Sequence, residues 1–149
     1  MIVRKFAALA LLVALVVPVS ARPKGSDGVV KATATTSKPD TDGKETVTIT
    51  LMIDPKYHLY ANPVGNDDFA SNQVVVSFGK GVTAKIDYPK GEVKKDAIIG
   101  DYKVYTGKTT IKAVVKRAKA TDPIEVAIKV QACDDKACLM PATIKVAVK

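Results

Sequence analysis

The chain has 149 residues, with 23 Lys and Arg against 15 Asp and Glu for a net charge of +8, and only 5% of its residues are aromatic. That length suits one domain with its own packed core. The lysines from Lys80 to Lys116 alternate with apolar residues and have few aromatics among them. This favours solvated strand faces and guarded sheet edges and argues against a nucleic-acid patch.

In chain order, residues 1–21 read as a signal peptide. Arg4 and Lys5 supply a short basic start, Phe6 to Val19 is an apolar run of 14 residues, and Val19-Ser20-Ala21 offers small residues for cleavage near Ala21. The run is short of the ~20 residues that a bilayer span needs, so a retained anchor is the rival reading. No membrane insertion is expected after cleavage. The expected location is periplasmic or secreted, where a cysteine pair can oxidise and stay so.

Residues 22–43 form a mature N-terminal segment with a first strand at 29–36, and 44–149 carry the main domain. There, period-two alternation dominates. TVTITLMI (46–53) sets Val47, Ile49, Leu51 and Ile53 against Thr46, Thr48, Thr50 and Met52. IEVAIKV (124–130) and TIKVAVK (143–149) repeat the pattern, and shorter runs fall at 57–61, 73–78, 82–86, 102–106 and 109–115. Alternation in β-branched residues predicts half-buried antiparallel strands. Turn residues lie between them, and no segment has helical length and period. The expectation is an all-β, immunoglobulin-like antiparallel β-sandwich of about nine short strands, with a small barrel as the alternative.

Two segments exceed hairpin length: ANPVGNDDFAS (61–71) and YPKGEVKKDAIIGD (88–101). Long loops at a sandwich end commonly carry function. Asn66, Asp67 and Asp68 offer oxygen atoms for calcium but equally suit an ordinary turn.

QACDDKACLMP (131–141) holds the only two cysteines, Cys133 and Cys138. A strand over 124–132 and one over 142–149 would be joined by DDKA as a hairpin, with the cysteines facing each other. Facing Cβ atoms lie ~4.5–5.5 Å apart, against the ~3.5–4.5 Å of a disulfide, so a bond is within reach. A stabilising staple is one reading, but so small a loop is worth only ~2 kcal/mol in the chain-entropy model. A metal site is another: zinc wants four ligands, whereas the chain offers two thiols and His58, and Met140 adds a copper variant. Thiol–disulfide exchange is the third and leading reading. Asp134 and Asp135 disfavour a thiolate, with Lys136 a partial offset, and no helix N-terminus assists. Such a thiol waits on a docked partner.

QACDDKACLMPATIKV resembles the active-site hairpin of the N-terminal periplasmic domain of the thiol:disulfide interchange protein DsbD, a family that includes stand-alone modules. DPKYHLYANP (54–63) and YPKGEVKKDAIIGDYKVYTG (88–107) resemble its tyrosine-bearing strand and its cap region. The resemblance implies an immunoglobulin-like sandwich with a redox-active disulfide under a cap loop. It implies thioredoxin-like exported partners and a membrane-embedded thiol reductase, with no cofactor and no metal. Cys138 would attack the partner's disulfide and Cys133 would resolve the mixed disulfide. His58 and Tyr60 fall where the family has two tyrosines, Asp96 matches an acidic cap residue, and Ile98 stands in place of a shielding aromatic. The residues also permit plainer readings. His58 can simply be packed, and Tyr60, Tyr102 and Tyr105 can be core-edge aromatics with wet hydroxyls. A non-catalytic binding module with an inert disulfide is the alternative function.

Overall fold

The computed structural model describes residues 25–148. The proposed signal segment, 1–21, lies outside them. Among the described residues no helix is long and apolar enough to cross a membrane.

Alternation along Lys44–Ile53 (β2) buries Glu45, Val47, Ile49, Leu51 and Ile53 and turns the residues between them outward. This strand is the spine of the first layer. It pairs antiparallel with Val30–Thr36 (β1) on one side and Lys108–Arg117 (β8) on the other, and Val82–Asp87 (β5) completes the order β1-β2-β8-β5. The register sets Ile49 beside Ile111 and Val47 beside Ala113, so each strand lays its apolar set on one face.

The second layer is two small antiparallel sheets. Ala142–Ala147 (β11), Glu125–Val130 (β9) and Val75–Phe78 (β4) form one. Ala132–Cys133 (β10), His58–Tyr60 (β3), Tyr102–Tyr105 (β7) and Glu92–Lys94 (β6) form the other. Val126, Ile128, Val130, Leu59 and Tyr105 from this layer meet Val47, Ile49, Leu51, Ile111 and Val115 from the first in one shared core. The architecture is the expected immunoglobulin-like antiparallel β-sandwich. The helical content described is two 3₁₀ turns, Ser26–Gly28 and Asp67–Asn72.

Eleven strands appear among the described residues. The two additions to the nine expected, β6 and β10, are too short to announce themselves by alternation. The expected unbroken strand over 124–132 is corrected. The chain breaks at Gln131 and changes partners, since β9 pairs with β4 and β11 whereas β10 pairs with β3. The register explains the break. Ala142 faces Val130, yet Leu139 N donates to Ala132 O at 2.8 Å, so Met140 and Pro141 both stand opposite Gln131. This is a β-bulge, a place where a residue without an N–H is tolerated.

The bulge also sets the side-chain faces. In unbroken alternation Cys138 would share the face of Ala142 and Ile144, toward the core. One extra residue turns it over, so that it meets Cys133 on the opposite face.

Candidate functional site

Cys133 and Cys138 are disulfide-bonded with Cα atoms 3.9 Å apart. They form an isolated antiparallel bridge. It is flanked by Leu139 N to Ala132 O at 2.8 Å and Asp134 N to Ala137 O at 2.9 Å, which makes the cysteines a non-hydrogen-bonded pair, the closer kind. Asp134 builds the turn: its carboxylate accepts from Lys136 N and Ala137 N, each at 2.9 Å. Those two hydrogen bonds hold the carboxyl below the usual carboxylate range, with smaller help from Lys56 and Lys136. The two sulfur-bearing residues differ in access. Cys133 is 2% exposed, whereas Cys138 is on the surface.

The hairpin stem is held from below by the start of the described chain. Ser26 is fully buried. Its hydroxyl donates to Met140 O at 2.8 Å and accepts from Ala132 N at 2.9 Å, while its own N–H donates to Met140 O at 3.0 Å. The serine thus satisfies backbone groups that the bulge takes out of the ladder.

Alternation fixes the faces of the β10-β3-β7-β6 sheet. Ala132, Leu59 and Tyr105 point into the main core. Cys133, His58, Tyr60 and Tyr102 therefore project from the other face, with His58 directly opposite Cys133. That outer face is covered by the segment that follows β3. Tyr60, Val64 and Cys133 form a second buried cluster, with Phe69 and Tyr102 packed against it. The Phe69 ring stacks on Tyr60 at 4.9 Å between centroids and 9° between planes, and it meets Tyr102 at 5.2 Å. Burial, then the neighbouring Tyr102, raises the Tyr60 hydroxyl. His58 sits edge-on to Tyr60 at 6.1 Å. Burial lowers its pKa, Lys94 lowers it further, and Asp135 and Asp134 pull the other way.

The hairpin between β6 and β7 carries the remaining expected residues. Asp96 accepts from Ile98 N at 2.8 Å and Ile99 N at 3.1 Å. These bonds, Ile99's first, draw its carboxyl down. Ile98 is 95% exposed at the tip and Ile99 is 45% exposed. So His58 and Tyr60 share a face with Cys133, Asp96 shapes the hairpin backbone, and Ile98 points to solvent. Among the described residues no group of three or more His, Cys, Asp and Glu side chains gathers as a metal site would need.

Over residues 27–149 the sequence matches the family described as thiol:disulfide interchange protein DsbD, N-terminal. The chain belongs to that family. No curated protein matches it in sequence. Among solved structures, it resembles the DsbD N-terminal domain of Neisseria meningitidis in the reduced form. That likeness has 18% identity and a TM-score of 0.50 over 81% of this chain and 84% of that one. The same domain in complex with the PilB N-terminal domain gives 18% and 0.50, over 78% and 80%. The N-terminal periplasmic domain of ScsB from Proteus mirabilis gives 13% and 0.53, over 78% of this chain and 44% of that one. At such identities the likeness speaks for the fold.

Two residues around the cysteine pair, Ser26 and Phe69, escape the sequence reading, and a third, Asn66, has its contacts settled only by the structure. Ser26 lies before the first strand and carries no motif. Phe69 is a lone aromatic in a polar loop, and nothing beside it in the chain marks Tyr60 as its partner. Asn66, set beside the calcium reading, accepts from Asp68 N at 3.1 Å as the cap of the 3₁₀ turn and donates to Ile99 O at 2.9 Å. Its side chain serves turn and hairpin.

Proposed function

We propose that this domain is an exported thiol–disulfide exchange module. In this reading it passes electrons through Cys133 and Cys138 from a membrane-embedded thiol reductase to thioredoxin-like proteins. The observation that carries it is the unequal access of the two cysteines, one buried and one on the surface. Family membership supports the chemistry. The solved complex of a relative with the PilB N-terminal domain supports a protein as the partner.

In the reduced domain, the Cys138 thiolate attacks one sulfur of the partner's disulfide, and the second partner sulfur leaves and takes up a proton. Cys133, deprotonated in turn, attacks Cys138 Sγ. The bond between Cys138 and the partner breaks and the partner's first sulfur departs as a thiol. Two electrons and two protons have moved to the partner, and the Cys133–Cys138 bond has re-formed. The donor recharges the domain by the reverse sequence, entering at the accessible Cys138 Sγ with Cys133 as the leaving group. Neither metal nor cofactor enters this balance.

The surroundings tune the exchange. Asp134 and Asp135 beside Cys133 oppose thiolate formation, so the free module exchanges slowly. His58 and Tyr60 line the face on which Cys133 lies, while Asp96 holds the hairpin that offers Ile98 to a partner. The test is trapping. A Cys133→Ser variant, mixed with an oxidised thioredoxin-like protein, accumulates a mixed disulfide through Cys138. A Cys138→Ser variant that traps equally well overturns the assigned roles.

A further inference from the structure

We infer that the outer face of the β1-β2-β8-β5 sheet docks on an anionic lipid bilayer, holding the module at a membrane surface, without insertion, with its disulfide turned away. This goes beyond the exchange reading, and its test reads lipid binding, so the two can fail separately.

The registers bring six lysines to that face: Lys31 on β1, Lys44 on β2, Lys108, Lys112 and Lys116 on β8, and Lys85 on β5. All six are exposed. Among the described residues only Lys44 of the six is ion-paired, to Asp42 at 3.1 Å. Asp87, opposite Lys112, is the one acid that the four strands turn to this side. Threonines such as Thr48 and Thr50 fill most of the positions between.

Edge protection accounts for lysines on β1 and β5, the outer strands of the sheet. It does not account for the four on β2 and β8, which have a strand on either side. Lys44 even stands directly opposite Lys116, a like-charge pairing that weakens a sheet, where an acid would strengthen it. The concentration of charge therefore answers to something outside the fold. Lys44, Lys116 and Lys85, on three adjacent strands, ring a hollow of about 440 Å³ together with Thr83 and Val114. A lipid phosphate seated there would meet three ammonium groups.

The face is broad, about 14 Å across its four strands, and none of its outward residues is aromatic. It lacks the buried anchor on which a protein epitope is built. Spread charge without an anchor suits a partner whose own charge is spread, and each lysine held near an anionic bilayer contributes about five-fold to binding. Cys133 projects from the other layer. A bilayer on the lysines therefore leaves the cysteine hairpin open to protein partners and, in the exchange reading, keeps the module beside a membrane-embedded donor.

The full chain is sedimented with vesicles of phosphatidylcholine alone and of phosphatidylcholine with phosphatidylglycerol, and the ratio of the two affinities is read. The apolar run at 6–19 is common to every variant and cancels in that ratio. Wild type is expected to favour the anionic vesicles at least about a hundred-fold. That preference should hold at about 0.1 M salt and vanish at about 1 M, where the screening length has fallen from ~10 Å to ~3 Å. Lys44→Gln, Lys85→Gln and Lys116→Gln together should cut it by at least about ten-fold. The same change at Lys56, Lys90 and Lys95, exposed lysines outside this sheet, should cut it far less, with thermal melts showing both triple variants folded. No preference in wild type overturns the proposal and leaves the face to an acidic protein. Equal losses in the two triple variants overturn it as well, since net charge alone would then act. On anionic vesicles, reduced Cys133→Ser should offer Cys138 to a membrane-impermeant alkylating reagent at its rate in solution, and protection overturns the orientation.

Discussion

His58 stands directly opposite Cys133 in the β3–β10 ladder, so an imidazole and the buried half of the disulfide share one face. Burial and Lys94 together keep that ring neutral at pH values where a free histidine would begin to charge. The sign for stability follows. The folded pKa lies below the ordinary 6.5, so the unfolded chain binds the proton first. The contribution is fully present above about pH 6.5 and is lost as pH falls through the lowered value. Denaturant titrations at pH 7.5 and pH 5 should show wild type losing more stability than His58→Gln over that interval. Equal losses would mean that the ring is not held neutral.

Ser26 gives a local stability prediction. Replacing it with alanine leaves the buried Ala132 N–H without its acceptor, a cost of about 1–3 kcal/mol. Met140 O keeps the Ser26 N–H, so the loss falls on one strand of the hairpin stem. Urea unfolding should show the deficit, and hydrogen exchange should show Ala132 N–H opening more than the amides of β2.

How far the sequence could be read depends on scale. Val47, Ile49 and Leu51 announce their strand and its buried face because every second residue is apolar and β-branching is dense. The family hairpin is legible because two cysteines with four residues between them, followed by a proline, are uncommon. The bulge is not legible. It appears only when the register of Ala142 against Val130 is set beside that of Cys138 against Cys133, two facts held by different ladders. Glu92–Lys94 hides for another reason: three residues, two of them charged, carry no period. Phe69 and Ser26 act across 9 and 106 residues of chain, on Tyr60 and Ala132, and nothing local marks such partners.

Arg117 and Glu45 provide a control far from the cysteines in the chain's pairing. Arg117 Nη2 lies 2.6 Å from a Glu45 carboxylate that is only 4% exposed, and Thr36 donates to the same carboxylate at 3.2 Å. Arg117→Met strands that charge, which should cost about 3 kcal/mol. Thermal melts should fall accordingly, while disulfide exchange at a temperature where the variant stays folded should match wild type.

Asp134 separates charge from geometry. Asp134→Asn keeps an oxygen for the Lys136 and Ala137 N–H groups but removes a negative charge beside the cysteines. Reduced Asp134→Asn should therefore show a lower thiol pKa, read from thiolate absorbance across a pH titration. Asp134→Ala removes the turn's acceptor as well. The hairpin should loosen, the thiols should meet less often, and the disulfide should reduce more easily than in Asp134→Asn. Identical behaviour of the two variants would show that charge alone matters.

The reduction potential decides between a relay and an inert bond. Structural disulfides of exported proteins fall below about −300 mV, whereas exposed ones lie higher. Here one cysteine, Cys138, is on the surface, and the bond closes a loop of four residues between its ends. So small a loop stabilises the fold by only ~2 kcal/mol in the chain-entropy model, which leaves little reason to retain the bond as a staple. A thiol-buffer titration of the Cys133–Cys138 pair should therefore give a potential above that boundary, within reach of a protein thiol donor. A value well below it would mean that docked thiols cannot open the pair at equilibrium. The domain would then act as a binding module whose hairpin is locked, and the trapping asymmetry between Cys133→Ser and Cys138→Ser would report exposure alone.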